Sequence, residues 1–142
     1  MRYLGLLLSL LVISMGVLNG GSISLFIDTP SVLVVVVITL GCSIFSGLRP
    51  FRVLGVGLSS QPQPNDAAYA AQGLQEMRGY MMASGWIGFM FGGVIMGVNI
   101  DSVNVLGPGL ALMLMTVIYA TVGSYVILKP MQHRLERVVE GG

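Results

Sequence analysis

The side chains able to do chemistry are few and scattered. The 142-residue chain holds one histidine and one cysteine. His133 stands beside Arg134 in the polar C-terminal stretch, and no nucleophile–base pair forms around it. No glycine-rich phosphate loop follows a strand, and no Cys/His set has metal-ligand spacing. The chain is therefore read as no enzyme, with no catalytic residue, cofactor or metal. Cys42 lies midway along an apolar run and is read as a small buried apolar residue. The remaining polar groups in apolar runs are mild: Ser9, Ser14, Thr39, Ser43, Thr116, Tyr119, Thr121 and Ser124. Such hydroxyls most often bond a carbonyl one turn back; lining a pore is the sharper reading. An ionisable group at a bilayer centre costs about 3 kcal/mol and is kept only for use. None lies inside these runs, so nothing in this chain can relay a proton alone.

Glycine carries more information. The stretch Gly85-Trp86-Ile87-Gly88-Phe89-Met90-Phe91-Gly92-Gly93-Val94-Ile95-Met96-Gly97 sets Gly88/Gly92 and Gly93/Gly97 four residues apart, with Gly85 on the face of the first pair. Between helices in lipid, association depends on the close packing that small residues permit. One intrachain neighbour would not use a set spread over more than one face. Gly85, Gly88, Gly92, Gly93 and Gly97, with Gly109 further on, are therefore candidates for contacts between copies of the chain.

These residues sit in a composition that excludes a soluble enzyme, a nucleic-acid binder and a disulfide-stapled module. Apolar residues make up 54% and charged residues 9%, against about 25% charged in soluble domains. Uncharged runs cover residues 3–27, 29–48, 79–100 and 102–128, and a bilayer core needs about 20 apolar helical residues. The expected fold is all-α: one four-span membrane domain over residues 1–142, with spans at about 3–20, 30–47, 80–98 and 108–128. Arg2 precedes the first run; Arg49, Arg52 and Arg78 lie in the link of about 48–79; Lys129, Arg134 and Arg137 follow the fourth. The other two links contain no Lys or Arg, so basic residues place both ends in the cytoplasm. They meet the headgroups of the lipid bilayer there. Arg2 and its apolar stretch also suit a signal peptide, but no A-x-A-like site follows, and an uncleaved span is expected.

Local signals mark the elements. Asp28-Thr29-Pro30 caps the second span, and its β-branched run is helical because backbone in lipid must satisfy itself. Gln61-Pro62-Gln63-Pro64 is a breaker. A long third helix over about 66–98 extends into the cytoplasm. Gly107-Pro108 starts the fourth span and Lys129-Pro130 ends it. Met131, Leu135 and Val138 share a face opposite His133, Arg134 and Arg137, which predicts a short amphipathic helix on the membrane surface.

Two stretches then resemble a known family. Gly20-Gly21-Ser22-Ile23-Ser24-Leu25-Phe26-Ile27-Asp28-Thr29-Pro30-Ser31 and the valine run resemble the first outer loop and second span of MotA/PomA-type stator subunits. Gly85-Trp86-Ile87-Gly88, Leu106-Gly107-Pro108-Gly109-Leu110-Ala111, Leu114-Met115-Thr116-Val117-Ile118-Tyr119 and Lys129-Pro130 resemble their third and fourth spans. The resemblance to the MotA/TolQ/ExbB proton-channel superfamily implies a multi-pass protein of the bacterial inner membrane. It also implies a ring of subunits around a single-span partner that supplies the ion-carrying Asp. Phe89, Thr116, Val117 and Tyr119 would fall on the family's pore. Phe89 stands where the family usually has threonine, Thr116-Val117 replaces paired threonines, and the large cytoplasmic domain is reduced to a short link. The departures weigh against torque generation. The expectation is a homo-oligomeric scaffold, a ring or helical array built through spans three and four. The alternative is an H⁺- or Na⁺-driven pore subunit working with that partner.

Overall fold

The computed structural model describes residues 14, 27–98, 100 and 103–141, and these are mostly helical, with no strand among them. The expected first span, about 3–20, lies outside the described residues apart from Ser14. In chain order follow α1 (Thr29–Phe45), α2 (Pro50–Leu58), α3 (Pro64–Val98), α4 (Val103–Thr121), a π-helical stretch (Val122–Leu128) and α5 (Lys129–Glu140).

Helix α1 begins as its sequence dictates. The Ser31 N–H donates to Asp28 Oδ2 at 3.1 Å, and Pro30 occupies the first turn, where no N–H is needed. Its end is equally local. Gly47 takes φ +84°, which lets Gly47 N–H reach the Ile44 carbonyl and Leu48 N–H the Ser43 carbonyl. This left-handed cap satisfies carbonyls the helix would otherwise leave open. The chain then turns 105° into α2, a helix that the sequence did not announce.

Helix α3 starts at Pro64, the last residue of the breaker, and runs 35 residues, about 52 Å at 1.5 Å per residue. It packs in two tiers. Its first turns bury Ala67, Ala70, Ala71, Leu74 and Met77 against Val53 of α2 and Leu128 and Leu135 beyond α4. Farther along, Ser84, Gly85, Gly88 and Gly92 are buried along α4.

The C-terminal half departs from expectation in three ways. Helix α4 begins at Val103 rather than at Gly107-Pro108, with Pro108 inside it in the second turn, where the helix forgoes the one hydrogen bond that a proline cannot donate. Nor does Pro130 end the helix. The π stretch leads into α5, the Lys129 N–H reaches the Ser124 carbonyl, and Leu106–Glu140 forms one long helix. A proline ring would clash with the carbonyl four residues back in a regular helix, and the wider turn relieves that clash. Finally, α5 does not present its apolar face to a membrane surface. Leu135 is fully buried against the start of α3, with Met131 and Val138 beside it, because that face buries more apolar area on protein. Cys42 is also corrected, standing exposed on α1.

By length and composition two helices can cross a membrane, Pro64–Val98 and Leu106–Glu140, or three if the bent α1–α2 pair forms one span. These apolar helices are compatible with a membrane-embedded protein.

Candidate functional site

The glycine-rich face of α3 meets α4 of the same chain. A Cβ on Gly85 would sit 2.5 Å from the Ala120 Cβ, and one on Gly88 2.7 Å from the Thr116 Cβ. One on Gly92 would sit 2.6 Å from the Gly109 carbonyl oxygen, and one on Gly109 2.6 Å from Met96 Cγ. Any side chain at these positions would force the helices apart. Four of the six glycine candidates therefore build the protomer and are not available to a second copy. A Cβ on Gly93 would make only ordinary contact with Met113 at 3.8 Å, and one on Gly97 would meet nothing within 4 Å among the described residues. The sequence reading missed Ala120 and Met113 as partners. The small-residue spacing Thr116, Ala120, Ser124 was the signal that would have found them.

The pore candidates occupy varied settings. Thr116 is fully buried, and its hydroxyl donates to the Leu112 carbonyl at 2.8 Å, one turn back. Its methyl side closes on Gly88, so α3 and α4 are in direct contact there. Phe89 and Val117 are half-buried, and Phe89 packs edge-on to Trp86 with centroids 5.7 Å apart. Tyr119 ties α4 to the start of α1, its hydroxyl accepting from the Asp28 N–H at 3.1 Å.

The outward surface is apolar. Trp86, Met90, Val94 and Val98 follow one another along α3, all exposed, as do Leu110, Leu114 and Ile118 on α4. Contiguous exposed apolar stripes of this kind mark a surface that meets a membrane or another protein.

The basic residues gather at the α2–α5 end. Arg52 pairs with Asp66 at 2.9 Å and lies over the Tyr69 ring, while Arg49 offers its backbone N–H to the Tyr69 hydroxyl. Arg134 donates to the Gly57 and Ser59 carbonyls, closing the open end of α2. Arg78 and Lys129 approach the ring of Tyr125, at 5.3 and 5.5 Å from its centroid, a cation–π arrangement. Arg137 is exposed. A polar chain joins α3 to α5: Arg78 Nη1 donates to Gln132 Oε1 at 2.8 Å, and Gln132 Nε2 to Glu136 Oε1 at 2.7 Å. His133 Nδ1 lies 2.9 Å from the other oxygen of Glu136. The hydrogen bonds from Gln132 and His133 hold the Glu136 carboxyl below its ordinary value of 4.5. Tyr125 and Gln132 were not singled out in the sequence, because only the fold brings them to these partners.

Among the described residues no three His, Cys, Asp or Glu side chains come together as metal ligands would. Neither known protein families nor curated proteins provide a match to the chain.

Proposed function

We propose that the chain is a four-span subunit of MotA/TolQ/ExbB type, in a bacterial inner membrane with both ends in the cytoplasm, that assembles with copies of itself as a structural scaffold. The gathering of basic residues at one end supports this orientation, since such residues are retained on the cytoplasmic side. The observation that carries the scaffold reading is the outer face of α3. Once Gly85, Gly88 and Gly92 are spent inside the protomer, that helix still presents Trp86, Met90, Val94 and Val98, with open space at Gly97. A neighbouring backbone can approach closely only at such a notch. The buried, satisfied hydroxyl of Thr116 favours a scaffold over the alternative, an ion-conducting subunit with a single-span partner.

The test is Gly97→Leu. A Cβ there meets nothing within 4 Å among the described residues, so the fold is expected to stay intact while the particle size in detergent falls to one chain. An unchanged oligomer, or a wild-type protein already monomeric at working concentration, refutes self-association through this face.

A further inference from the structure

Between the end of α2 and the junction of the π stretch with α5 lies a groove of about 750 Å³. Its lining has two characters. It combines the cationic side chains of Lys129, Arg134 and Arg137, with His133, and the apolar ones of Leu58, Tyr125 and Ile127; no acidic residue is among those lining it. The cations are not equally committed. Arg134 is held by the Gly57 and Ser59 carbonyls, and His133 by Glu136. Lys129 stands over Tyr125, and the side chain of the exposed Arg137 makes no hydrogen bond or ion pair among the described residues. Of the apolar lining residues, Leu58 is 74% exposed and Ile127 49%. The groove thus sets positive charge against uncovered apolar surface, at the level where the long helix leaves its apolar run.

We propose that this groove binds an anionic phospholipid, with Lys129 and Arg137 on the headgroup phosphate and Leu58 and Ile127 against the first carbons of an acyl chain. A soluble phosphate compound would use the cations but leave the apolar residues wet; a neutral lipid would leave the cations without a counter-charge. Only a ligand carrying both parts matches the whole lining. The proposal rests on the membrane reading above and adds one discrete site to the general attraction of basic residues for anionic headgroups.

The experiment uses the full chain in a neutral detergent, titrated with phosphatidylglycerol or phosphatidylcholine, with lipid retention read by native mass spectrometry. Phosphatidylglycerol is expected to be retained preferentially. Arg137→Gln should weaken it about fivefold and the Lys129→Gln/Arg137→Gln pair about twentyfold, as for losing one and two basic contacts at a membrane surface. Arg49→Gln, an exposed basic residue away from the groove, should change nothing. The circular dichroism of each variant checks that it is folded, and the single Arg137→Gln change, on an exposed last turn, keeps the test available if the pair is not. Equal retention of the two lipids, or equal loss in Arg49→Gln, overturns the site. Competition by glycerol phosphate as effective as by the lipid overturns a phospholipid in favour of a soluble phosphate compound. Alkaline carbonate extraction of cell membranes separates the two failures. A chain released by carbonate refutes the membrane reading, whereas one that stays embedded but shows no lipid preference refutes the groove alone.

Discussion

Replacing Gly85 by alanine probes how closely α3 and α4 approach. The added carbon would lie 2.5 Å from the Ala120 Cβ, 3.2 Å from the Thr116 carbonyl oxygen and 3.6 Å from the Val117 Cα. Carbon atoms pack at about 3.5–4.0 Å, so the helices must part by about 1 Å or rotate. Overpacking of that kind costs about 1–3 kcal/mol, and the better helix propensity of alanine returns about 0.5–1 kcal/mol. The single change should therefore destabilise by about 0.5–2 kcal/mol. The reciprocal change, Ala120→Gly, removes the clashing atom and loses a similar propensity term. Combining the two exchanges the methyl from one helix to the other, leaving only the snug contact to the Thr116 carbonyl. The double variant should lie closer to wild type than Gly85→Ala does, with a coupling of about 1 kcal/mol. Unfolding in mixed micelles, titrated with a denaturing detergent and followed by circular dichroism, measures all four corners of the cycle. A Gly85→Ala protein at least as stable as wild type, or a double variant no better than the sum of the singles, refutes the close seam.

Two further outcomes follow from the α2–α5 tier. Leu135→Ala empties a fully buried site and should cost about 2–5 kcal/mol, seen as faster amide exchange and proteolysis within 129–140 while 85–120 stays protected; uniform exchange across both regions would show that the tiers do not open separately. The Glu136 carboxyl is held below its ordinary value of 4.5 in the fold, so the unfolded chain binds more protons around that pH and stability rises with pH there. Its contribution is present above about 4.5 and is lost as pH falls through the lower native value. Glu136→Gln should flatten this acid loss in α5, and an unchanged profile would contradict the role of Gln132 and His133 in setting it.

What could be read from the chain alone was what neighbouring residues decide among themselves. Asp28, Pro30 and the Gln61–Pro64 breaker act within one turn, and α1 and α3 begin beside them. The apolar face of Met131, Leu135 and Val138 was visible for the same reason. What covers that face was not, because the answer lies in Ala67 to Met77, more than fifty positions earlier. Helix α2 escaped notice because its nine residues include two glycines, and it is held from outside: Val53 fills the notch at Gly73, and Met131 lies on Gly57. Pro130 misled because a proline stops a regular helix, and the widened turn ahead of it has no local signature. The glycines of α3 announced close contact but not with whom. Spacing gives the face of a helix, and only the assembled bundle says which face looks inward.

The π stretch has a geometric consequence for the length of this chain. Thr116, Ala120, Ser124, Leu128 and Gln132 are all buried, a repeat of four residues. An ordinary helix drifts about 40° at each such step, and so about 160° over the four steps, which would carry the last of them nearly to the opposite side. The slower winding of Val122–Leu128 absorbs most of that drift. It works as a phase corrector, letting a single unbroken rod serve the glycine seam above and the Ala–Leu core below along one line. Removing one residue from this stretch would restore ordinary winding with a modest offset, whereas inserting one would throw the two halves out of step.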